Sequence, residues 1–461
     1  MKVVLLNPPG DELYIRDHYC SLSSKANYYW QPADLTMLSG ILSTEHTIEV
    51  IDAIVQKIGP DKLIARLRSD KPDVIVSLVG SASRIPDMAF LKRAKEATGA
   101  RVIITGDFVL EGYESILKES LFIDAVLLDF TSRGILQYLS RGNDSRLASD
   151  SLAYRNISGE IIVGEREKKG TYDVPVPRHE LFPLKRYRLP YLRKLPFVTT
   201  LTSFGCPFHC EFCQAATLGY KYRPASNVIE ELKHIKAIGA EEVYFNDSTI
   251  EANKENLRQI CEGIKRLGLL WSCNARVDTL TYEMLKLMKE SGCYFISFGI
   301  ESGNQKILDL YKKGITITQA EDTIRDCKAL GIGTAAYFII GLPGETTETI
   351  EDTIRLAKSL DTDYASFSVA SPDFGTPLRD KLIKDRGPAA IGHFDRSKTV
   401  IMEDDKLSSR QIASLCKKAV LSFYLRWGFI RKQLKRLNSV QGLVLFIKDS
   451  SSIMRKILYV K

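Results

Sequence analysis

The sequence lacks the features that mark several protein classes. Its 461 residues contain no run of about 18 consecutive apolar residues, so no membrane-spanning helix is predicted. The stretch Met1–Pro9 has too few apolar residues for the core of a secretory signal. No Gly-x-Gly-x-x-Gly follows the first apolar run, which argues against a dinucleotide site. Because 44% of the residues are hydrophobic, we nevertheless expect large cores and a globular, cytoplasmic protein of two or three domains.

Acidic residues are scarce at the C-terminal end. From Lys406 to Lys461, thirteen lysines and arginines stand against one acidic residue, Asp449, so this segment carries a charge of +12. The whole chain carries +8, which leaves the first 405 residues mildly acidic at −4. A basic segment suits an anionic membrane surface or a nucleic acid. No nucleic-acid-binding module is recognisable, so no nucleic acid is expected as a partner.

Disulfide bonds are not expected, because nine cysteines is an odd number and cytoplasmic thiols stay reduced. Six of the cysteines occur singly and are predicted to be small buried side chains: Cys20, Cys261, Cys273, Cys293, Cys327 and Cys416. Only Cys20 lies in a loop that faces the predicted ligand site, so it alone remains a candidate for a role. The other three, Cys206, Cys210 and Cys213, crowd into one loop after the β-branched run Phe197–Thr202.

Three thiols at this spacing indicate a metal site. A structural zinc site needs four ligands, usually in two pairs, and no second close Cys/His pair occurs in the chain. A 4Fe-4S cluster normally takes four thiolates, so three would leave one iron open for chemistry. Zinc binding and three ordinary buried cysteines are the alternatives.

The pattern Cys-x3-Cys-x2-Cys, with Phe212 before the last cysteine, resembles the signature of the radical S-adenosylmethionine (SAM) enzymes. The resemblance implies that Cys206, Cys210 and Cys213 hold a 4Fe-4S cluster, whose open iron is chelated by the amino and carboxylate groups of SAM. In this family the reduced cluster cleaves SAM to methionine and a 5′-deoxyadenosyl radical. An external electron donor of flavodoxin or ferredoxin type is implied as a partner.

The first part of the chain alternates helical patterns with five short apolar runs: Lys2–Asn7, Thr47–Asp52, Asp73–Leu78, Arg101–Thr105 and Asp124–Leu128. This α/β pattern predicts a doubly wound parallel sheet that binds ligands at its strand ends. The domain resembles the cobalamin-binding domain that precedes many radical SAM domains. It lacks the Asp-x-His-x-x-Gly motif, since Tyr-Cys-Ser follows His18. Cobalamin is therefore expected without a protein histidine ligand; alternatively, the domain has lost cobalamin and only shapes the substrate pocket.

The second part contains six strand-like runs separated by helical patterns: Phe197–Thr202, Glu242–Asp247, Trp271–Arg276, Tyr294–Gly299, Gly333–Gly341 and Tyr364–Val369. They suit a (β/α)6 partial TIM barrel, the fold of the radical SAM family, with its site at the carboxyl ends of the strands. A hairpin is predicted at Tyr154–Val163, and the proline-containing stretches Val174–Arg178 and Phe182–Tyr187 predict an extended connector. Together they indicate an interdomain linker. The predicted regions are a cobalamin-binding-like domain at 1–145, a linker at 146–194, the barrel at 195–385 and a basic helical region at 386–461.

The resemblance also implies a set of SAM-binding residues at the strand ends. Asn246 and Asp247 occupy the place where family members bind the SAM amino group, and Arg276 is placed to pair with the SAM carboxylate. Glu301, Ser302 and Asn304 resemble the segment that holds the ribose, and the turn Gly341–Thr346 lines the adenosyl site. The alternative is that these residues are helix caps and turn residues.

The C-terminal region contains an amphipathic helical pattern. Its apolar face is formed by Ile412, Leu415, Cys416, Ala419, Val420, Phe423 and Trp427. Such a helix usually packs on its own protein; the alternative is a basic anchor for peripheral contact with the inner face of a membrane.

Together these resemblances imply a radical SAM enzyme that performs cobalamin-dependent methylation of an unactivated carbon in a small or lipid-like substrate. Radical oxidation, cyclisation or rearrangement without methyl transfer is the alternative within the family. Outside it, the alternative is a non-enzymatic iron–sulfur or zinc-binding module. A tRNA methylthiotransferase is excluded, because its N-terminal domain carries a second cluster and only Cys20 is available there.

Overall fold

The computed structural model describes residues 1–19, 21–24, 28–141, 148–387, 391, 395 and 399–436. These residues form two compact units. The first consists of Met1–Ser23, Tyr29–Gly205 and Leu218–Asn246; the second consists of Ser24–Tyr28, Cys206–Thr217 and Asp247–Lys461. The four-region division of the chain, with its boundaries after residues 145, 194 and 385, stays a prediction.

The first unit contains fourteen strands and seven α-helices among its described residues. The strands are β1 (Lys2–Asn7), β2 (Tyr14–Arg16), β3 (Ser21–Ser23), β4 (Thr47–Asp52), β5 (Val74–Leu78), β6 (Arg101–Thr105), β7 (Ala125–Leu127), β8 (Leu152–Arg155), β9 (Ile161–Val163), β10 (Lys169–Thr171), β11 (Phe197–Thr200), β12 (Ser203–Gly205), β13 (Tyr220–Tyr222) and β14 (Glu242–Phe245). The helices are α1 (Ala33–Leu42), α2 (Ala53–Gln56), α3 (Pro60–Asp70), α4 (Arg84–Thr98), α5 (Val109–Glu119), α6 (Gly134–Arg141) and α7 (Ala225–Ala237).

The N-terminal sheet has the strand order β4-β1-β5-β6-β7-β8-β9. Its first five strands are parallel, which confirms the predicted sheet. Val3, Val4, Leu5 and Leu6 of β1 are fully buried, as expected of a strand covered on both faces. The chain runs from β1 to β4 on one side and then to β5 on the other, so the ends of β1 and β5 flank the topological switch point. The hairpin predicted in the linker forms β8 and β9, which extend this sheet in antiparallel fashion.

The strand before the cysteine loop differs from the single run that the sequence predicted. Strand β11 ends at Thr200, and the chain then forms β12, which pairs with β13 in antiparallel register. The change of direction ends at Gly205, whose φ of +79° favours glycine. A Cβ atom at Gly205 would lie 2.0 Å from the backbone oxygen of Gly219, so the two ends of the cysteine loop approach each other closely.

The second unit contains the later strands of the predicted barrel: β15 (Leu270–Ala275), β16 (Cys293–Glu301), β17 (Gly333–Ile340) and β18 (Tyr364–Val369). Its helices are α8 (Lys254–Leu267), α9 (Tyr282–Glu290), α10 (Gln305–Leu310), α11 (Ile317–Ala329), α12 (Thr347–Ser359), α13 (Pro377–Arg386), α14 (Ser409–Tyr424) and α15 (Trp427–Arg436). Strands β15 to β18 pair in parallel in chain order, and β11 pairs with β14 in parallel in the first unit. All six predicted strands are thus present. At least one helix lies between each strand and the next strand of the predicted barrel.

Helix α14 packs on β18 and α12, so the expectation that it covers its own protein is confirmed. Phe423 is fully buried, with its ring 6.4 Å from that of Phe367 on β18. The placement of Trp427 on the same face is wrong: α14 ends at Tyr424, and Trp427 begins α15 with 75% of its surface exposed. No helix among the described residues combines the length and the apolar character needed to cross a membrane.

Candidate functional site

The cysteine loop is held by hydrogen bonds to its backbone from other elements of the second unit. The amide of Glu211 donates to the backbone oxygen of Tyr311 at 3.1 Å, and the Glu211 oxygen accepts from the amide of Leu378 at 3.1 Å. The amide of Cys213 donates to the Cys210 oxygen at 3.1 Å, which closes a turn between these two cysteines. The loop therefore keeps its path through contacts with Tyr311, the residue that follows α10, and with Leu378 on α13.

The thiols of Cys206, Cys210 and Cys213 are free. Burial raises the pKa of Cys206, and burial together with the neighbouring Cys206 and Cys210 raises the pKa of Cys213 to about 12. A metal that binds these sulfurs must displace their protons, because the thiolate is the ligand. Within the described part of the chain, no three His, Cys, Asp or Glu side chains are grouped to hold a single metal ion. In a 4Fe-4S cluster each thiolate binds a different iron, so a cluster does not require the three sulfurs to converge on one ion.

Arg276 follows β15 and contacts the cysteine loop. Its Nη1 lies 3.7 Å from Sγ of Cys210, and its guanidinium carbon lies 3.9 Å from the ring centroid of Phe208. Asp278 accepts from Nε at 2.9 Å and from Nη2 at 3.0 Å, and the backbone oxygen of Lys313 accepts from Nη2 at 2.6 Å. The side chain predicted to pair with the SAM carboxylate is thus joined to the cysteine loop itself.

Glu301 ends β16 at an irregularity of the strand. The pairing register with β17 shifts between Gly299 and Glu301, and Glu301 has a φ of +72°, a conformation that non-glycine residues rarely adopt. Its Oε1 accepts from Nζ of the buried Lys313 at 3.0 Å. Burial alone would lower the pKa of Lys313, but Glu301 and then Cys210 raise it, so the ammonium stays charged. This strained, ion-paired carboxylate is the kind of group that functional sites retain.

Ser302 and Asn304 are engaged with helix α12. The Ser302 hydroxyl lies 3.3 Å from that of Thr353, and Asn304 Nδ2 donates to Asp352 at 2.7 Å. The Asn304 Oδ1 atom is buried and finds no hydrogen-bond partner among the described residues. These two side chains therefore hold the end of β16 to α12, and Oδ1 of Asn304 is the atom available for a ligand.

Asp247 is fully buried, and its backbone oxygen accepts from Nδ2 of Asn274 at 3.1 Å. Near it, Glu251 accepts from the amide of Arg276 at 2.7 Å and from the Thr279 hydroxyl at 2.5 Å. Burial raises the pKa of Glu251 to about 7. Glu251 thereby fixes the backbone of the loop that carries Arg276.

The turn after β17 is built on Glu345. Its Oε2 accepts from the amides of Gly341 at 2.7 Å and of Leu342 at 3.0 Å, and burial raises its pKa to about 7. Gly341 has a φ of +86°, which glycine adopts without strain. The predicted adenosyl-lining turn is thus a carboxylate-capped loop.

Asn246 is the one predicted site residue in the first unit. Its Nδ2 donates to Asp17 at 2.6 Å, and its Oδ1 accepts from the Tyr244 hydroxyl at 3.0 Å. The structure thus brings the cysteines, Asp247, Arg276, Glu301, Ser302 and Asn304 into one unit and places Asn246 in the other. Cys20 lies outside the described residues.

At the carboxyl edge of the N-terminal sheet, several side chains bind each other while others do not. Asp107 accepts from the amide and the hydroxyl of Ser81 at 2.8 and 2.7 Å. By contrast, Ser21 Oγ, Thr105 Oγ1 and both ring nitrogens of His18 are buried without a hydrogen-bond partner among the described residues, although Nδ1 of His18 lies 3.8 Å from Oδ2 of Asp34. Burial lowers the pKa of His18 to about 3, so the ring is neutral. Unsatisfied buried polar atoms are costly, and their presence at this edge fits a polar ligand.

Sequence reasoning missed Lys313, Glu251 and Asp278. Asp278 follows Arg276 at a spacing of two residues, which is a signal that the sequence contains. Lys313 gives no such signal, since most lysines are exposed. The burial of Lys313 arises from packing that only the folded chain shows.

Proteins of similar sequence indicate the family to which this chain belongs. The family model described as the radical SAM superfamily matches residues 200–357. An uncharacterised methyltransferase of Pyrococcus horikoshii is 30% identical over 440 residues, covering 92% of this chain and 93% of that protein. The anaerobic magnesium-protoporphyrin IX monomethyl ester cyclase of Rubrivivax gelatinosus is 27% identical over 443 residues, covering 91% of this chain and 78% of that protein.

Solved structures share the fold of this chain. The radical SAM methyltransferase TsrM of Kitasatospora setae, solved with cobalamin and a [4Fe-4S] cluster, superposes with a TM-score of 0.65 at 18% identity, covering 83% of this chain and 75% of that chain. The cobalamin-dependent radical SAM enzyme OxsB gives a TM-score of 0.61 at 19% identity, over 84% of this chain and 55% of that chain. The strand pattern, the three-cysteine loop and these relatives lead to one conclusion: the chain is an enzyme that belongs to the radical SAM superfamily.

Proposed function

We propose that this enzyme methylates an unactivated carbon of a small or lipid-like substrate, with a 4Fe-4S cluster, SAM and cobalamin as cofactors. The observation that carries the proposal is the loop with three free thiols, held in shape by α10 and α13 and contacted by Arg276. When bound, the cluster supplies one electron for reductive cleavage of SAM to a 5′-deoxyadenosyl radical. The cluster would be held by Cys206, Cys210 and Cys213.

The chain's own residues supply placement and charge. Glu301 is proposed to hold the SAM ribose, and its ion pair with Lys313 fixes the carboxylate for that task. Asp247, with Asn246, is proposed to bind the SAM amino group. Ser302 and Asn304 keep the end of β16 in place, and the free Oδ1 of Asn304 is proposed to accept from a ribose hydroxyl. The pairing of Arg276 with the SAM carboxylate stays an untested prediction. In the structure this guanidinium already binds Asp278, the Lys313 backbone oxygen and Sγ of Cys210.

Cobalamin is proposed to bind at the carboxyl edge of the N-terminal sheet, where parallel sheets bind their ligands. The buried Thr105 Oγ1, Ser21 Oγ and His18 nitrogens support a polar ligand there. Cobalamin supplies a transferable methyl group, and no protein histidine is proposed as its ligand. Radical cyclisation is the second candidate function, because one relative is named a methyltransferase and another a cyclase.

Two partners belong to the same proposal. A one-electron donor of flavodoxin or ferredoxin type would reduce the cluster. Peripheral contact with an anionic membrane is proposed for the basic C-terminal segment, whose residues 437–461 lie outside the described structure. Part of the basic region is already used within the second unit, since Lys418 pairs with Glu351 and Arg426 donates to the Lys358 oxygen at 2.7 Å.

The decisive experiment is anaerobic reconstitution followed by a SAM cleavage assay. We expect about four iron and four sulfide per chain and the formation of 5′-deoxyadenosine. Cys206→Ala should lose the cluster and the activity, whereas Cys416→Ala, a buried cysteine on α14, should keep both. If Cys206→Ala retains its iron and no 5′-deoxyadenosine forms, the proposal fails. SAM with a labelled methyl group then separates the two candidates, because only methyl transfer places the label in the product.

A further inference from the structure

The guanidinium of Arg276 is oriented toward one sulfur atom. Asp278 binds the edge formed by Nε and Nη2, at 2.9 and 3.0 Å. A carboxylate on that edge leaves Nη1 on the opposite side, and Nη1 lies 3.7 Å from Sγ of Cys210. The Phe208 ring lies under the face of the guanidinium, and the Lys313 backbone oxygen holds Nη2. The side chain is therefore fixed from three directions.

The surroundings make this contact electrostatically effective. Arg276 is 5% exposed and Cys210 is 6% exposed, so water screens their interaction poorly. Asp278 balances the charge of Arg276, but it does so from the far edge, so the ion pair presents its positive end to the sulfur. Glu251 holds the backbone amide of Arg276 at 2.7 Å, which fixes the point from which the side chain extends.

We propose that Arg276 is a positioning residue of the iron–sulfur site. Its guanidinium raises the reduction potential of a cluster held by Cys206, Cys210 and Cys213. The inference rests on the proposed function, because it requires a cluster at these thiolates. The oxidised cluster gains one electron from an external one-electron donor, so the reduced form carries one more negative charge. A nearby cation and an N–H···S hydrogen bond both stabilise that charge, and hydrogen bonds to the sulfurs are among the factors that set cluster potentials.

The test is a redox titration of the reconstituted full-length protein, with the reduced cluster monitored by electron paramagnetic resonance. Four proteins are compared: wild type, Arg276→Gln, Arg276→Lys and Arg325→Gln. Arg325 is the matched control, since it is an exposed arginine of the same unit that pairs with Asp322 on α11. Iron and sulfide content is measured for each protein, so that loss of the cluster is not confused with a shift of its potential.

We expect the potential of Arg276→Gln to be more negative than that of wild type, with Arg276→Lys between them and Arg325→Gln unchanged. A potential in Arg276→Gln equal to wild type, at full iron content, overturns the inference while the proposed function stands. An equal shift in Arg276→Gln and Arg325→Gln overturns it too, because the effect is then one of net charge alone. If Arg276→Gln fails to hold the cluster, Arg276→Lys decides: a wild-type potential there contradicts the role of the Nη1 contact. Failure of wild type to form a cluster overturns both proposals.

Discussion

Nζ of Lys313 lies 3.0 Å from Oε1 of Glu301, and the pair covers the α-carbon of Gly299. A Cβ atom at Gly299 would lie 2.4 Å from the carboxylate oxygen and 3.1 Å from the ammonium nitrogen. Gly299 thus leaves room for the ion pair above it, and its own backbone conformation does not demand glycine.

We predict that Gly299→Ala displaces the Glu301–Lys313 pair and lowers the free energy of unfolding by about 1 kcal/mol, the low end of the usual cost of overpacking, because the atoms that must move are side-chain ends. Slower formation of 5′-deoxyadenosine should accompany it, because Glu301 is proposed to hold SAM. The matched control is Gly428→Ala, where a Cβ meets nothing within 4 Å. Equal unfolding temperatures for Gly299→Ala and wild type would contradict the prediction.

Stability should depend on the protonation of Glu251. Burial raises its folded pKa to about 7, above its ordinary value of 4.5. The folded state therefore binds the proton more tightly, so this contribution is fully present below about pH 4.5 and is lost as the pH rises through 7. A difference of one pH unit between the folded and unfolded pKa values corresponds to about 1.4 kcal/mol. Glu251→Gln, which resembles the protonated form, should lose less stability than wild type between pH 5 and pH 8 in urea unfolding; parallel pH profiles would refute this.

The buried network of Glu231, Arg223 and His179 should make the first unit sensitive to acid. Burial alone would raise the pKa of Glu231, but Arg223 and then His179 lower it to about 2. Stability from this group is therefore present above about pH 4.5 and is lost as the pH falls toward 2. Glu231→Gln should lose about 3–5 kcal/mol at pH 7, because it leaves Arg223 buried without its charge partner.

The control for this network is Glu230→Gln on the same helix. Glu230 is exposed and pairs with Lys233, so its replacement should change the unfolding free energy by about 0.5 kcal/mol or less. The measurement is denaturant unfolding at pH 7 and pH 3. A loss in Glu231→Gln no larger than in Glu230→Gln would show that the network contributes nothing to stability.

The end of α14 gives a further test. Phe423→Ala should cost about 3–5 kcal/mol, since Phe423 is fully buried against Phe367. Trp427→Ala should change the unfolding free energy by about 0.5 kcal/mol or less, because this larger side chain is 75% exposed. Similar costs for the two variants would contradict the break between α14 and α15.

Membrane contact is tested by removing residues 437–461. This truncation leaves α14 intact. A longer truncation that begins at Leu421 is avoided, because it would remove the buried Phe423 and so disturb the fold. The full-length protein should sediment with anionic liposomes and be released by salt. The truncated protein, which keeps nine of the thirteen lysines and arginines of the segment from Lys406 to Lys461, should sediment less and be released at lower salt. Neutral liposomes serve as the control. Absence of sedimentation for the full-length protein at low salt would rule the proposal out.

The sequence predicts the secondary-structure elements better than it predicts the contacts between them. Strands such as Lys2–Asn7 and Gly333–Ile340 are predictable, because continuous apolar runs between turn residues have few other uses. The cysteine loop is predictable because its spacing is chemically specific. The position of Trp427 is not, because helical periodicity continues past Tyr424, while the break depends on packing.

Periodicity in the sequence does not predict which residues a given polar side chain contacts. Arg276 follows a strand end, which suggests a ligand contact, but its neighbours Phe208 and Lys313 are distant in the sequence. Likewise, nothing local to Lys313 predicts that it is buried beside Glu301. Long-range pairing of polar groups is decided by the tertiary fold, which one sequence does not display.

The two backbone hydrogen bonds of Glu211, to Tyr311 and Leu378, bear on how the metal would enter. In small zinc domains the metal organises the polypeptide, so that metal loss and unfolding are one event. Here the loop between the cysteines takes its shape from α10 and α13. Iron would thus enter a preformed site. A protein that has lost its cluster through oxidation should stay folded, and adding iron and sulfide back should restore it.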